Sequence, residues 1–210
     1  MKLLKPVLAG LAICLGVAPA EATIISFTPG LSSFGASASI IAAPGQVLNS
    51  VVFNTAQQGF DERQGVLLGA NLSIDGGSIA AGTTVDSHMI FLNKQDGVGG
   101  TLSHTVTWTF GGAILGVMSN TSGSLEVASS ALLGAVGTVY PGAAFANRGL
   151  EGSGDGYTIL GNQLTLTMVV TQPGDWIRVV TAPEPIPEPG TMLLLGTGVA
   201  GLALRRRRRA

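Results

Sequence analysis

The stretch LTLTMVV, residues 164–170, alternates large apolar residues with threonine and valine. Neighbouring side chains of a strand point to opposite faces, so a period of two is typical of a strand with one buried and one exposed face. Outward from this stretch, segments rich in Val, Ile, Thr and Phe recur between Gly, Asn and Asp. They cover residues 24–28, 47–54, 66–74, 84–93, 105–110, 113–118, 158–160 and 176–181.

These nine short segments predict a mainly β domain over residues 23–182. Turns are expected at Asp75-Gly76-Gly77, Asp96-Gly97 and Asp155-Gly156. Residues 125–133 lack turn residues and predict a short helix. Because strands and helices do not alternate regularly, we expect an antiparallel β-sandwich, jelly-roll-like in its connections.

The composition excludes two classes of protein. Of 210 residues 46% are hydrophobic and the mean hydropathy is +0.46, too apolar for an intrinsically disordered chain. Between Thr23 and Ile186 four basic residues stand against ten acidic ones, a net charge of −6. Nucleic-acid binding needs a concentrated basic patch, so we expect no nucleic-acid partner.

The N-terminus has the three regions of a secretory signal peptide in order. Lys2 and Lys5 precede an apolar run over residues 7–17, and small residues lead to Ala22. We predict a signal peptide over residues 1–22, passage through the Sec translocon and cleavage by signal peptidase after Ala22. The alternative is a buried helix of the folded domain. Cys14, the only cysteine, would leave with the signal, so the mature protein would have no disulfide and no thiolate site.

The C-terminus ends in a short apolar segment followed by arginines. Residues 191–204 are apolar or small, and Arg205, Arg206, Arg207, Arg208 and Arg209 follow directly. A helix of this length covers about 21 Å, short of the roughly 30 Å of a hydrocarbon core, although the first arginines can reach back to the interface. The arginines favour a cytoplasmic end, with the body of the protein across the membrane. We assign residues 183–190 to a proline-rich linker and residues 191–210 to a membrane segment with its arginine cluster.

The motif Pro187-Glu188-Pro189, followed by Gly190, Thr191, the apolar segment and the arginines, resembles the PEP-CTERM sorting signal of Gram-negative envelope proteins. The resemblance implies that an exosortase recognises the motif and removes the tail. It also implies an inner-membrane-anchored precursor and a product at the cell surface or outside the cell. Two prolines hold the motif extended, where neither helix nor sheet absorbs it.

Three alternatives concern this tail. Pro183-Glu184-Pro185 is a second copy of the motif, but Gly190-Thr191 and the apolar run follow the downstream copy directly. A permanent single-span anchor is disfavoured by the short span. The G-x-G-x-x-G spacing of Gly196, Gly198 and Gly201 follows no strand and is rejected as a dinucleotide site.

The central region also resembles a recurrent group of PEP-CTERM proteins to which no biochemical activity is assigned, so no catalytic residue is carried over. The segments that carry this resemblance are residues 60–65 (FDERQG), 79–88 (IAAGTTVDSH), 114–117 (ILGV), 148–151 (RGLE) and 175–179 (DWIRV).

A search for catalytic groups gives little. Asp86, Ser87 and His88 are the residue types of a hydrolytic triad, but neighbours in a strand face opposite ways and there is no G-x-S-x-G elbow. His88 and His104 could ligate a metal if their strands paired, although structural roles are favoured. Asp61 and Glu62 could serve glycoside chemistry, but beside Arg63 an ion-paired or solvated loop is favoured.

The glycine-rich residues 148–156 contain the best polar group in the sequence. Glu151 and Asp155 are weak candidates for calcium, because glycines let carbonyls and carboxylates surround an oxygen-seeking ion. The spacing matches no EF-hand loop or calcium nonapeptide, and an ordinary flexible loop is the favoured alternative. We also expect Arg63, Arg148 and Arg178 to pair with Asp or Glu across loops at one end of the sandwich.

Two classes of function follow. The first is a noncatalytic envelope or matrix protein, processed by exosortase and associated with exopolysaccharide or biofilm, without a cofactor. The second is a secreted carbohydrate-binding or carbohydrate-active β-sandwich module. A carbohydrate-active enzyme should line a groove with aromatic residues. Beside its seven phenylalanines the mature chain has only Trp108, Trp176, Tyr140 and Tyr157, too few to favour that interpretation.

Overall fold

The computed structural model describes residues 21, 23–48, 50–143, 147–152, 154–171 and 174–184. This part of the chain contains twelve strands and one helix. They are β1 (Ile24–Phe27), β2 (Ser39–Ile40), β3 (Gln58–Asp61), β4 (Val66–Leu67), β5 (Leu72–Ile74), β6 (Gly77–Ile79), β7 (Thr84–Leu92), β8 (Leu102–Phe110), β9 (Ile114–Met118), α1 (Ser124–Leu133), β10 (Gly156–Leu160), β11 (Gln163–Val170) and β12 (Asp175–Thr181).

The strands form two stacked sheets and a hairpin. The first sheet has the order β1-β8-β11-β10, and the second has the order β2-β3-β7-β12-β9 with β4 also on β7. The hairpin is β5-β6, and every pairing except β2 with β3 is antiparallel. The predicted antiparallel β-sandwich is therefore confirmed, while its jelly-roll connectivity stays a prediction.

The two sheets differ in how their strands are buried. In β11, Leu164, Leu166 and Met168 face the second sheet and the residues between them are half-exposed or exposed, as the alternation predicted. Every residue of β12 and all but the first of β7 are buried. Strands covered on both faces have this continuous pattern. The second sheet is therefore the middle layer of the domain.

A covering layer packs on the outer face of the second sheet. Helix α1 and the β5–β6 hairpin supply Leu133, Leu72 and Ile79, which pack with Val85 and Val180. Val47 and half-buried neighbours pack against a second buried cluster, which is largely aromatic: Phe60, Met89, Phe91 and Trp176. The helix confirms the prediction for residues 125–133.

Some predicted strands were wrong. Residues 47–54 contain no strand among those described, because their apolar side chains cover the core from an irregular segment: Val47 is buried in the aromatic cluster while Val51 is exposed. Residues 66–74 are not one strand but two, β4 and β5, which pair with different partners. The short strands β2, β3 and β6 were not predicted.

Arg178 of β12 forms a buried ion pair and also bonds to the covering layer. Arg178 is fully buried, and its Nε and NH2 donate to Glu62 Oε2 and Oε1 over 2.6 and 2.8 Å. Its NH1 donates to the carbonyl of Glu126 at 2.7 Å and to Ser129 Oγ at 2.5 Å, both on α1. Glu62 Oε2 also accepts from Ser87 Oγ over 2.6 Å. Arg178 thus fixes the helix on the sheet.

An interruption between β3 and β4 brings Glu62 to this position. Both strands pair with the edge of β7 that β12 leaves free. Between them Gly65 adopts a φ of 64°, and its N–H donates to Asp86 Oδ1 over 2.5 Å. Glycine takes such a φ without the cost that a Cβ imposes. Residues 60–65 (FDERQG) therefore have a structural role.

Both ends of the domain leave beside the same turn. Gly111 N–H donates to the carbonyl of Thr23 over 2.9 Å, and the carbonyl of Ala113 accepts from Ala182 N–H over 2.8 Å. Among the described residues, no helix is long and apolar enough to cross a membrane. The predicted signal region before residue 21, Ala22, Pro187 to Thr191, the membrane segment and Arg205–Arg209 lie outside the described residues.

We predict that Glu62→Gln destabilises the purified protein by about 3–5 kcal/mol, because it leaves the buried charge of Arg178 uncompensated. Arg63→Gln is the matched control: Arg63 is exposed, and its change should stay within about 0.5 kcal/mol. Urea unfolding followed by tryptophan fluorescence measures both. Equal stability of the two variants would contradict the structural role of the pair.

Candidate functional site

Three carboxylates meet where the loop before β10 reaches the start of β12. They belong to Glu151, Asp155 and Asp175, and one oxygen of each lies within 4.8 Å of the others. Glu151 is exposed, Asp155 is half-buried and Asp175 is only 2% exposed. Asp175 Oδ2 has no hydrogen-bond partner in the described part of the chain. We call these residues the acid cluster.

The electrostatics of the acid cluster favour protonation. Burial raises the pKa of Asp175 to about 9, with further increases from the charges of Asp155 and Glu151 and an opposing hydrogen bond from the Val169 backbone. Burial, together with Asp155, also raises the pKa of Glu151. Burial and mutual repulsion therefore both disfavour negative charge in the acid cluster.

The loop that carries Glu151 and Asp155 is docked by its backbone. Leu150 N–H donates to the carbonyl of Ser119 over 2.9 Å, and Trp176 N–H donates to the carbonyl of Arg148 over the same distance. A Cβ on Gly149 would lie 2.1 Å from the carbonyl oxygen of Asn120, so only glycine allows this approach.

Further contacts orient the acids and their neighbour. Asp155 Oδ1 accepts from Val169 N–H over 2.5 Å, and its Oδ2 accepts from Glu151 N–H over 3.4 Å. The Arg148 guanidinium lies 4.1 Å from the centre of the Trp176 ring. The structure thus brings together the two sequence candidates, Glu151 and Asp155, and adds Asp175, which sequence reasoning missed.

Asp61 and Glu62 do not form a pair of catalytic carboxylates. Asp61 Oδ1 accepts from Ile24 N–H at 2.9 Å and contacts His88 Nδ1 at 2.8 Å. Glu62 binds Arg178 of β12 under helix α1. The two neighbours have separate structural partners, so the favoured ion-paired reading holds for Glu62, although its partner is Arg178 and not Arg63. The predicted partner of Arg63 was an acid, and the structure instead places its NH1 3.5 Å from the carbonyl of Leu132.

The two histidines lie in different sheets and do not converge. His88 Nε2 is 3.1 Å from Thr181 Oγ1, and its ring packs on Phe110. His104 Nδ1 accepts from Gln57 N–H over 3.1 Å. Burial lowers the pKa of His104, against the effect of a hydrogen bond to the carbonyl of Gly30. Asp86, Ser87 and His88 likewise have three different partners.

Helix α1 carries a second buried acid. Glu126 is 2% exposed, and neither carboxylate oxygen has a hydrogen-bond partner among the residues described. Burial raises its pKa to about 7; the charges of Arg178 and Arg148 oppose this increase and Asp75 adds to it. Near neutral pH, Glu126 is therefore poised between its neutral and charged forms.

The outer face of the first sheet is rich in threonine. Thr105 and Thr167 are cross-strand neighbours with hydroxyls 2.9 Å apart, and those of Thr107 and Thr165 are 2.8 Å apart. A groove of about 270 Å³ runs from this face to the acid cluster. It is lined by Gly154, Asp155, Gly156, Tyr157, Thr158, Thr165 and Thr167. We call this surface the threonine face.

Comparison with known families places the chain in one class of exported protein. A family model described as the PEP-CTERM protein-sorting motif matches residues 182–208. No curated protein and no solved structure matches the chain. The chain therefore carries a PEP-CTERM sorting signal. Such a signal marks an exosortase substrate that is exported as a membrane-anchored precursor.

The resemblance of the central region to a recurrent PEP-CTERM group stays a prediction. Its segments nevertheless have identifiable places in the structure. Residues 60–65 include the end of β3 and the interruption that carries Glu62, residues 148–151 form the docked loop, and residues 175–179 supply Asp175 and Arg178.

We predict a pH-dependent effect of Glu126→Gln. A raised pKa means that the folded state binds the proton more tightly than the unfolded state. Glu126 therefore costs little stability below about pH 4.5, and its cost grows as pH rises to about 7. The variant should match the wild type in acid and exceed it by about 3 kcal/mol above neutral pH. Urea unfolding across this pH range checks the difference, and a constant difference would contradict it.

Proposed function

We propose that the domain is a noncatalytic component of the cell surface or the extracellular matrix, and that it associates with exopolysaccharide or biofilm through its threonine face. Sec export, removal of residues 1–22 by signal peptidase and removal of the tail after the Pro187-Glu188-Pro189 motif belong to the same proposal. It rests on the sorting signal for delivery and on the threonine face for contact.

The threonine face supports polymer contact for a physical reason. Its hydroxyls form two cross-strand pairs on a sheet whose other face is covered by the core. Each hydroxyl can donate and accept hydrogen bonds, directly or through water. A long polysaccharide can meet many copies of such a surface, so weak contacts can add through avidity.

The placement of the acids supports a noncatalytic role. General acid–base catalysis on a glycoside needs two carboxyl groups that flank one bond and reach the substrate. Glu62 is 8% exposed and held by Arg178, and Asp61 is held by His88 and the Ile24 backbone. Both carboxylates are already engaged in holding the fold.

The positions of the domain ends support membrane-proximal processing. Thr23 and Ala182 bond to the two sides of one turn, at Gly111 and Ala113. Both signals can therefore enter one membrane from the same end of a folded domain. The rest of the domain, including the threonine face, then stays in the aqueous compartment.

We predict that the mature protein begins near Thr23 and lacks the tail beyond the Pro187-Glu188-Pro189 region. Mass spectrometry of envelope and culture fractions of the producing cells measures both ends. Replacing Pro187 and Pro189 by Ala should leave the precursor uncut, because the motif loses its fixed extended form. Replacing Pro183 and Pro185 is the matched control and should leave processing intact.

Two outcomes would contradict this sorting prediction. A major species that retains Arg205–Arg209 would favour a permanent anchor. Loss of processing only in the upstream variant would assign the recognised motif to Pro183-Glu184-Pro185.

We predict that the protein binds the producer's own exopolysaccharide weakly as a monomer and more strongly when many copies are displayed on a bead. Replacing Thr105 and Thr167 by Val should lower retention several-fold, because valine keeps the shape and strand preference but removes the hydroxyls. The control replaces Ser73 and Ser78 by Ala, a cross-strand hydroxyl pair on the β5–β6 hairpin. Retention of labelled polymer and release of soluble sugar are measured together.

Equal retention by both double variants, or none on a multivalent surface, would contradict binding through the threonine face. Sugar released by the wild-type protein would favour the alternative, a carbohydrate-active module.

A further inference from the structure

We propose that Glu151, Asp155 and Asp175 form a binding site for a calcium ion. This inference goes beyond the polysaccharide contact proposed above and does not depend on it. Sequence reasoning named two of these residues as weak candidates, and the third comes from a strand that begins twenty residues after Asp155.

The spacing of the three carboxylates fits one ion. Calcium binds oxygen at about 2.3–2.6 Å, so two oxygens on the same ion are at most about 5 Å apart. One oxygen from each acid satisfies this limit, since all three lie within 4.8 Å of one another. An ion between them would therefore need only small adjustments of the side chains.

A second observation points to a ligand. The side chain of Asp175 is buried, with 2% of the residue exposed, and its Oδ2 has no hydrogen-bond partner among the described residues. One carboxylate oxygen of Asp175 lies within 4.8 Å of an oxygen of each of the other two acids. A buried polar atom normally has a partner, because leaving it unpaired costs free energy. A bound cation supplies that partner and also removes the repulsion between the three acids.

The chemistry of the donors favours calcium over other common ions. All three ligands are carboxylate oxygens, which suit hard cations. Zinc prefers nitrogen and sulfur ligands, and the two histidines of the chain, His88 and His104, are engaged elsewhere. Magnesium requires a tight octahedron and keeps most of its water, whereas calcium accepts irregular sites. The exposed side at Glu151 leaves room for water to complete the coordination.

The ion would link two segments of the chain. Glu151 and Asp155 belong to the loop before β10, while Asp175 begins β12, the central strand that carries Arg178. Calcium modules outside cells bind with dissociation constants of about 10⁻⁴–10⁻³ M. The site would therefore fill after export, where calcium is abundant, and stabilise the folded domain by mass action.

Calorimetry on the full-length chain in detergent, stripped of metal with a chelator, tests the proposal. Calcium chloride should bind with one site per chain and a dissociation constant of about 10⁻⁴–10⁻³ M, and it should raise the melting temperature. Glu151→Gln should weaken binding at least about tenfold without affecting folding, because Glu151 is exposed. Asp175→Asn, which removes the charge of the buried carboxylate, should also weaken calcium binding. Asp96→Asn, an exposed acid on the β7–β8 loop, is the matched control and should bind as the wild type does.

The following binding results would overturn the site. They are no calcium binding by the wild type up to about 10 mM, unchanged affinity in Glu151→Gln, and an equal loss in Asp96→Asn. Magnesium chloride at the same ionic strength that reproduces the calcium midpoint would also overturn it, because general screening would then explain the stabilisation. If Asp175→Asn does not fold, the comparison of Glu151→Gln with Asp96→Asn decides alone.

Discussion

The buried pair of Arg178 and Glu62 is the constraint around which this domain is arranged. Taking both charges out of water is costly, and the cost is offset only by good geometry and by bonds to the remaining donors. All five N–H donors of Arg178 have an acceptor: two contacts go to Glu62, and three go to Glu126, Ser129 and Ser130 of α1. A cysteine-free domain thus gains a fixed join between its middle sheet and its covering layer. The same contact explains the interruption between β3 and β4. In one continuous strand the direction of the Glu62 side chain would be set by the regular alternation of side chains between the two faces.

The sequence contained enough information for the sandwich but not for its third layer. The alternation of residues 164–170 predicted a strand with one solvent-exposed face, and β11 has such a face. The continuously buried β7 and β12 were predicted as strands, yet their second buried face depends on what packs over it. Val47 and Val52 cover it from an irregular segment, so their apolar character was mistaken for a strand signal. Tertiary packing overrode local propensity there.

The sequence predicted two of the three acids of the candidate site, and it missed the third for a similar reason. Glycines between Glu151 and Asp155 indicated a loop that could gather oxygen ligands, and both residues are in the cluster. Asp175 gave no such signal, because spacing along the chain does not reveal which strand start meets which loop. Asp61 and Glu62 show the converse. Two adjacent acids suggested one site, but β3 ends at Asp61, and the interruption sends Glu62 to a different partner.

Burial on both faces of the second sheet leaves the first sheet as the one with a broad hydrated face. Its edge strand β10 has the exposed residues Thr158, Ile159 and Leu160, while β8 and β11 present their threonines. The groove lined by Asp155 and Thr167 connects this face to the acid cluster. Asp155 also accepts a hydrogen bond from Val169 N–H of β11, the strand that carries Thr165 and Thr167. The acid cluster and the threonine face therefore share strand β11 as a common support.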